Sequence, residues 1–310
     1  MTFVTVLGPQ RRKPFIKQIL DDQGIRGGLA VITGGWEERE GELDDLDEHV
    51  GRPTLNLRLH GRLQGVIRGD SGFSLALVDR NDRLRIAQTL YRRRLRSALE
   101  SVRSLYELTL PRMELLLAER ADALQAVSDL DAHYLSQIRG IHEAFHDVWD
   151  PTLEETTGEV RQKIAEELSS CEAVLIAGGN VGVLLDQLYL LKLRPMLENK
   201  PIVAWSAGAM VLTERIVLFH DSPPQGRGAP EIYDDGMGLA PALVALPQAS
   251  KRLMLDDEQR VGIFAGRFAP SACITLDEGC GARWDGTAWH AVGEARRLTP
   301  EGHLAEVGAA

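Results

Sequence analysis

Short apolar runs and amphipathic stretches alternate at both ends of the chain. Phe3 to Leu7 and Leu29 to Thr33 are apolar and strand-length, and Pro14 to Leu20 between them has helical spacing, so the chain opens as a β-α-β unit with parallel strands. Thr54 to Leu59 alternates apolar and polar residues and predicts another strand, before the Arg- and Gly-containing stretch from Gly61 to Gly72. From about Leu75 to Trp149 the period changes. Leu84, Ile86, Leu90, Tyr91, Leu95, Leu99 and Val102 recur mostly at threes and fours, and a second series runs from Leu115 and Leu116 to Ile138 and Ile141. This spacing predicts long amphipathic helices inserted into the sheet-forming frame. The Arg92-Arg93-Arg94 triplet then reads as a solvated helix face.

Past the helical block the alternation resumes. Gly158 to Ser169 predicts a helix and Ala173 to Ala177 a buried strand; Gly178-Gly179-Asn180 turns into a helix from about Val183 to Leu193; and Pro201 to Ala204 forms the next strand, ending at Ser206. The two strands are expected to be adjacent, central and parallel, in a doubly wound, mostly parallel α/β sheet. Ile274 to Leu276 and Ala282 to Trp284 read as strands of a closing antiparallel edge, and Thr299 to Ala310 as a loose tail. The expected division is 1–74 and 150–298 for the two parts of the α/β domain, 75–149 for a helical insertion and 299–310 for the tail.

Ligands of such sheets sit at the carboxyl ends of the strands, and two candidates fall there. Ser206, flanked by Ala204, Ala207 and Gly208, fits a sharp strand-to-helix turn that lifts a hydroxyl above the sheet at a helix N-terminus, where negative charge is stabilised. A serine that merely caps a helix has the same local sequence. Gly178-Gly179-Asn180 offers backbone amides unshielded by side chains, so Gly179 and Ala207 are candidate donors to an oxyanion.

Composition narrows the partners. With 44% hydrophobic and 26% charged residues among 310, the chain can bury one large core or a core with a smaller module. A formal charge of -10 argues against surfaces for nucleic acid or anionic membranes. No apolar run approaches the roughly 20 residues of a membrane span, and the N-terminal apolar run is too short for a signal segment, so a cytoplasmic location is expected. Cys171, Cys273 and Cys280 lack a close pair, so neither a disulfide framework nor a thiolate zinc site is indicated. His142-Glu143-Ala144-Phe145-His146 places two histidines on one helix face in a zinc-binding pattern, but no third ligand is identifiable; no metal and no cofactor are expected. Trp36, in Gly34-Gly35-Trp36-Glu37-Glu38-Arg39, follows the second strand at the ligand-bearing edge and suits either a pocket wall or packing.

Ile176-Ala177-Gly178-Gly179-Asn180 followed by Val203-Ala204-Trp205-Ser206-Ala207-Gly208-Ala209 resembles the dipeptidase E and cyanophycinase family of serine peptidases. The resemblance extends through Asp235-Gly236-Met237-Gly238-Leu239-Ala240-Pro241 and Leu276-Asp277-Glu278-Gly279, covering about 158 to 290, and implies a class I glutamine amidotransferase-like fold. The family pattern implies a histidine in a motif like Asp-x-His-Phe; here Leu246 and Gln248 stand at those positions, and an amide is no general base near neutral pH. Lys251 and Arg252 echo basic residues that the resemblance assigns to binding acidic or peptide substrates. His220, with Asp221 or Glu231 nearby, is the candidate relocated base. Three functions follow as expectations: a serine peptidase using Ser206 and His220; an impaired or non-catalytic relative that binds small peptides or amino-acid-derived ligands through Asn180, Gln248, Lys251 and Arg252; or an assembly protein, homo-oligomeric through the helical block.

Overall fold

In a computed structural model that describes residues 3–221 and 228–308, β1 (Val4–Leu7), α1 (Ile16–Asp22) and β2 (Leu29–Ile32) form the opening unit. A 3-10 segment, Gly34–Arg39, leads to α2 (Asp44–Val50), β3 (Leu55–Asn56) and α3 (Leu59–Gly69). The helical block is α4 (Ser71–Glu107) and α5 (Met113–Val148), of 37 and 36 residues. Then come α6 (Glu155–Ser169), β4 (Ala173–Ile176), α7 (Val181–Leu190), α8 (Arg194–Leu197), β5 (Ile202–Trp205) and α9 (Ala207–Leu212). The remainder is β6 (Arg215–Leu218), β7 (Glu231–Asp235), β8 (Leu243–Pro247), α10 (Ala249–Arg252), α11 (Glu258–Phe268), β9 (Ala272–Leu276), β10 (Gly281–Trp284), β11 (Trp289–Val292), β12 (Arg296–Leu298) and β13 (Leu304–Glu306).

The central sheet runs β11-β10-β1-β5-β4-β2-β3. Its five strands from β1 to β3 are parallel, and β10 and β11 extend the β1 edge antiparallel. β4 and β5 are adjacent and central, every residue of both is buried, and α7 and α8 connect them. Their unbroken apolar sequences follow from that position, because a parallel strand covered on both faces has no wet side. A second sheet, β13-β12-β9-β8, pairs β8 parallel with β9, so Ile274 to Leu276 lies in this sheet rather than beside Ala282 to Trp284. Leu304–Glu306 pairs with β12, so the C-terminal segment is tied down by strand pairing rather than loose. Gly61 to Gly69 is helical, within α3.

The hairpin of α4 and α5 is about 55 Å long at 1.5 Å per residue. Its inner faces bury Tyr91, Leu95, Leu99 and Val102 against Val127, Leu130, Tyr134 and Ile138, with Tyr91 and Tyr134 stacked at 4.0 Å. Polar bonds tie it to the rest of the molecule. Arg267 on α11 forms a buried bidentate pair with Asp131 on α5, and the Tyr91 hydroxyl donates to Asp131 at 2.7 Å. Nearby, Arg80 Nε donates to His142 Nδ1 at 3.2 Å, and His142 Nε2 lies 3.1 Å from Asp234 Oδ1 on β7. Because Arg Nε only donates, His142 carries its proton on Nε2. Its Nδ1 thus joins α5 to α4 within the hairpin, and its Nε2 fastens the hairpin to β7.

Candidate active site

The carboxyl ends of β2, β4, β5, β1, β8 and β9 converge on one edge, where the site is built. Ser206 follows β5 with φ 53° and ψ -119°, a strained conformation for a residue with a side chain. The turn holds because its neighbours are small. A Cβ on Gly208 would strike the carbonyl oxygens of Ile176 and Ala177, and one on Gly178 would lie 2.9 Å from the Ser206 Cβ. Ser206 N donates to Leu7 O at 3.0 Å, and Ser206 O accepts from Ala209 N, which fixes the serine at the start of α9.

Gly179 packs against the opposite wall of the same turn. Its φ of 122° and the Gly35 carbonyl, which a Cβ would hit, together require glycine. Asn180 N donates to Gly35 O at 2.8 Å, while the Asn180 side-chain oxygen caps α7 by accepting from Gly182 N at 3.1 Å. Among the described residues the amides of Gly179 and Ala207 donate no hydrogen bond.

Gln248 stands at the carboxyl end of β8 in a left-handed conformation, φ 58°, with its N–H donating to Leu276 O at 3.0 Å. The route from there to Ser206 is short. A Cβ on Gly8 would lie 2.7 Å from Leu276 O and would strike Asp277 O, and Gly8 follows Leu7, whose carbonyl receives the Ser206 amide. The backbone of residue 248 therefore stands at the same sheet edge as the serine, and its side chain is a carboxamide. Asp277 holds the next turn by accepting from Ser250 Oγ at 2.8 Å, and Lys251 pairs with Glu278 at 3.2 Å.

His220 and Arg252 share the wall of one cavity, of about 1170 Å³ between α4, α10 and α11, together with Asp221, Arg260 and Met210; among the described residues, neither Ser206 nor Gln248 lines it. Asp221 is committed to Arg260 and to Met254 N, and Asp221 N donates to Arg252 O at 2.8 Å. Burial pulls the Arg252 guanidinium below its ordinary pKa, and it sits 5.9 Å over the Phe219 ring. The structure thus groups Ser206, Gly179, Asn180 and Ala207 with Gln248, and Lys251 on the following turn; it groups His220 with Arg252 in a second cavity. Among the other histidines, His49 accepts from Ile16 N, His60 meets Gln187, His146 meets the Trp149 carbonyl and His290 meets Asp285.

Residues 125–291 match the family described as Peptidase family S51. The chain belongs to this family. The matched residues include both the Ser206 turn and the Gly178-Gly179-Asn180 turn, at the ends of the adjacent strands β5 and β4. Thirteen chains of solved structures match; one, described as a peptidase E protein from Listeria monocytogenes EGD-e, is 16% identical with a TM-score of 0.30, over 51% of this chain and 76% of that one. No curated protein matches the chain.

Glu37 is the site residue that the sequence reading passed over. Its φ of 59° and ψ of -124° nearly repeat those of Ser206, and its Oε1 accepts from Asn180 Nδ2 at 3.2 Å. The available signal was the glycine pair after β2, Gly34-Gly35, matching the pair Gly178-Gly179 after the neighbouring β4. Trp36 instead packs partly buried beside the core formed by β1, β2, α1 and α2.

Proposed function

We propose that this S51 family member binds small peptides or amino-acid-derived ligands, acidic ones among them, at the Ser206 edge, with peptide hydrolysis impaired or lost. The observation that carries this reading is Gln248 at the end of β8. Acyl transfer needs a base to take the serine proton, and a carboxamide has no basic site near neutral pH. The strained Ser206, the unengaged amides of Gly179 and Ala207, and Asn180 beside them support a site that holds a peptide carbonyl. The ligand's carbonyl oxygen sits between the two amides, and Asn180, Gln248 and Lys251 face its flanks. Arg252 serves acidic groups only if the ligand extends toward the second cavity.

Restoring a histidine tests this reading. Gln248→His raises labelling of Ser206 by a fluorophosphonate, and Ser206→Ala abolishes labelling in either background. The competing reading is a competent peptidase with His220 as relocated base. The engagement of Asp221 by Arg260 and Met254 N counts against a His220–Asp221 dyad. Strong labelling of the unmodified protein that disappears in His220→Ala establishes that reading instead.

The hairpin gives this reading a quaternary side. Leu75, Val78, Ile86 and Leu90 lie on one face of α4 and are 58–73% exposed. Asp79 and Asp82 flank the first part of this stripe and Arg93 the last. Antiparallel pairing of α4 with a second copy about Ile86 covers this stripe and brings Asp79, which pairs with Arg83 on its own helix, toward Arg93 of the other chain; the exposed stripe supports another copy of this protein as the occupant of this face.

A further inference from the structure

We infer that Glu37 is a specificity residue that receives the free amino terminus of a short peptide. The inference rests on the peptide-binding reading of the same site. Ser206 and Glu37 end neighbouring parts of one sheet edge with almost the same unfavourable backbone conformation, φ/ψ 53°/-119° and 59°/-124°. A non-glycine residue in this region is strained and persists where the surroundings fix it. At Ser206 the strain presents a nucleophile; at Glu37 it presents a carboxylate.

The direction of that carboxylate is set by Asn180. Its Nδ2 donates to Glu37 Oε1 at 3.2 Å while its Oδ1 caps α7. Asn180 directly follows Gly179, so the carboxylate lies one side chain away from a candidate oxyanion amide. Among the described residues Glu37 forms no ion pair, so its negative charge is available to a ligand.

Glu37 also opens onto a cavity of about 620 Å³ with a strongly acidic wall. The charged lining is Glu37, Glu38, Glu40, Asp186 and Arg68, with His60 beside them. Glu40 is occupied by the amides of His60 and Gly61, and Asp186 pairs with Arg80 at 2.9 Å. Gln187, 1% exposed, is part of the same wall and is held there by Nε2 donating to Gly34 O at 3.1 Å. An excess of carboxylates over guanidinium suits an ammonium group, which only donates. A peptide whose scissile or bound carbonyl lies between Gly179 and Ala207 places an amino terminus, one or two residues away, toward Glu37.

Calorimetric titration of the full chain carrying Ser206→Ala removes hydrolysis from the measurement. The probes are Ala-Ala, Ala-Ala-Ala, Asp-Ala and their N-acetylated forms. The free-amine peptides are expected to bind about tenfold tighter or more than the acetylated ones, and Glu37→Gln is expected to erase that difference. Glu37→Gly gives the same loss while suiting the positive φ, so a folded variant is assured. Equal binding of free and acetylated peptides, a preference that survives Glu37→Gln, or no binding by any probe overturns the inference. Fluorophosphonate labelling of Ser206 reads the elbow separately, so a labelled protein without amine preference overturns Glu37 alone.

Discussion

Replacing Asp131 with leucine strands a charge in the interior. The Asp131 and Arg267 side chains are 3% and 2% exposed, with Nε–Oδ2 and Nη2–Oδ1 distances of 2.7 Å, and Arg267 also donates to Tyr91 and to Pro230 O. Burial pulls the Arg267 guanidinium down, but the hydrogen bonds and charge of Asp131 outweigh that pull and hold its pKa above the ordinary value. Removing one partner of such a pair costs about 3–5 kcal/mol, because the remaining ion stays desolvated. Unfolding entropy of about 2.1 cal/mol/K per residue gives about 0.65 kcal/mol/K for a chain of 310 residues, so Tm should fall by about 5–8 °C. Differential scanning calorimetry measures it directly. The double variant Asp131→Leu with Arg267→Met removes both charges and should lose less than Asp131→Leu alone, a coupling of about 2 kcal/mol. A single-variant loss under about 2 °C, or a double variant less stable than the sum of its parts, refutes the argument that this pair fastens the hairpin.

Further outcomes follow from other parts of the structure. Gly208→Ala drives a Cβ into the Ile176 and Ala177 carbonyls, so it should destabilise by about 1–3 kcal/mol or more and lower Ser206 labelling, both measurable on purified protein. Burial first, and Lys17 or Lys192 second, lower the pKa of His49 and His146. Unfolded chains therefore take up these protons first, and their contribution to stability is complete above about pH 6.5 and lost as pH falls through that value toward the folded pKa. His49→Asn should flatten the dependence of Tm on pH between about 7 and 5. Ile86→Glu with Leu90→Glu should reduce the mass seen by light scattering if α4 pairs with a second copy; an unchanged mass removes that assembly.

The central fold was legible because it depends on local patterns. The all-buried strands β4 and β5 show as unbroken apolar runs, and the hairpin shows as 3.6-residue periodicity. Pairings between distant segments were not legible. Nothing in Gly281–Trp284 announces β1 as its partner, and Leu304–Glu306 is too short and half-polar to mark itself as a strand. Within the candidate site, the tight turns at Ser206 and Gly179 were readable because the small residues they need leave a trace in sequence. Glu37 was not, since its importance lies in a backbone angle and in a side chain 143 positions away. The His142–His146 pattern has the spacing of a metal pair, yet tertiary packing gives His142 to Arg80 and Asp234. A helical face specifies which residues are neighbours along the helix, not what the opposite element supplies.

The proposed loss of hydrolysis depends on Gln248 leaving Ser206 without an activating base. Initial rates of fluorophosphonate labelling, compared between the unmodified chain and Gln248→His at neutral pH, address this directly. Triad loss costs as much as a million-fold in related chemistry, so even a poorly aligned histidine should raise the rate at least about tenfold, with labelling confined to Ser206. Fast labelling of the unmodified protein, unchanged by Gln248→His, contradicts the account.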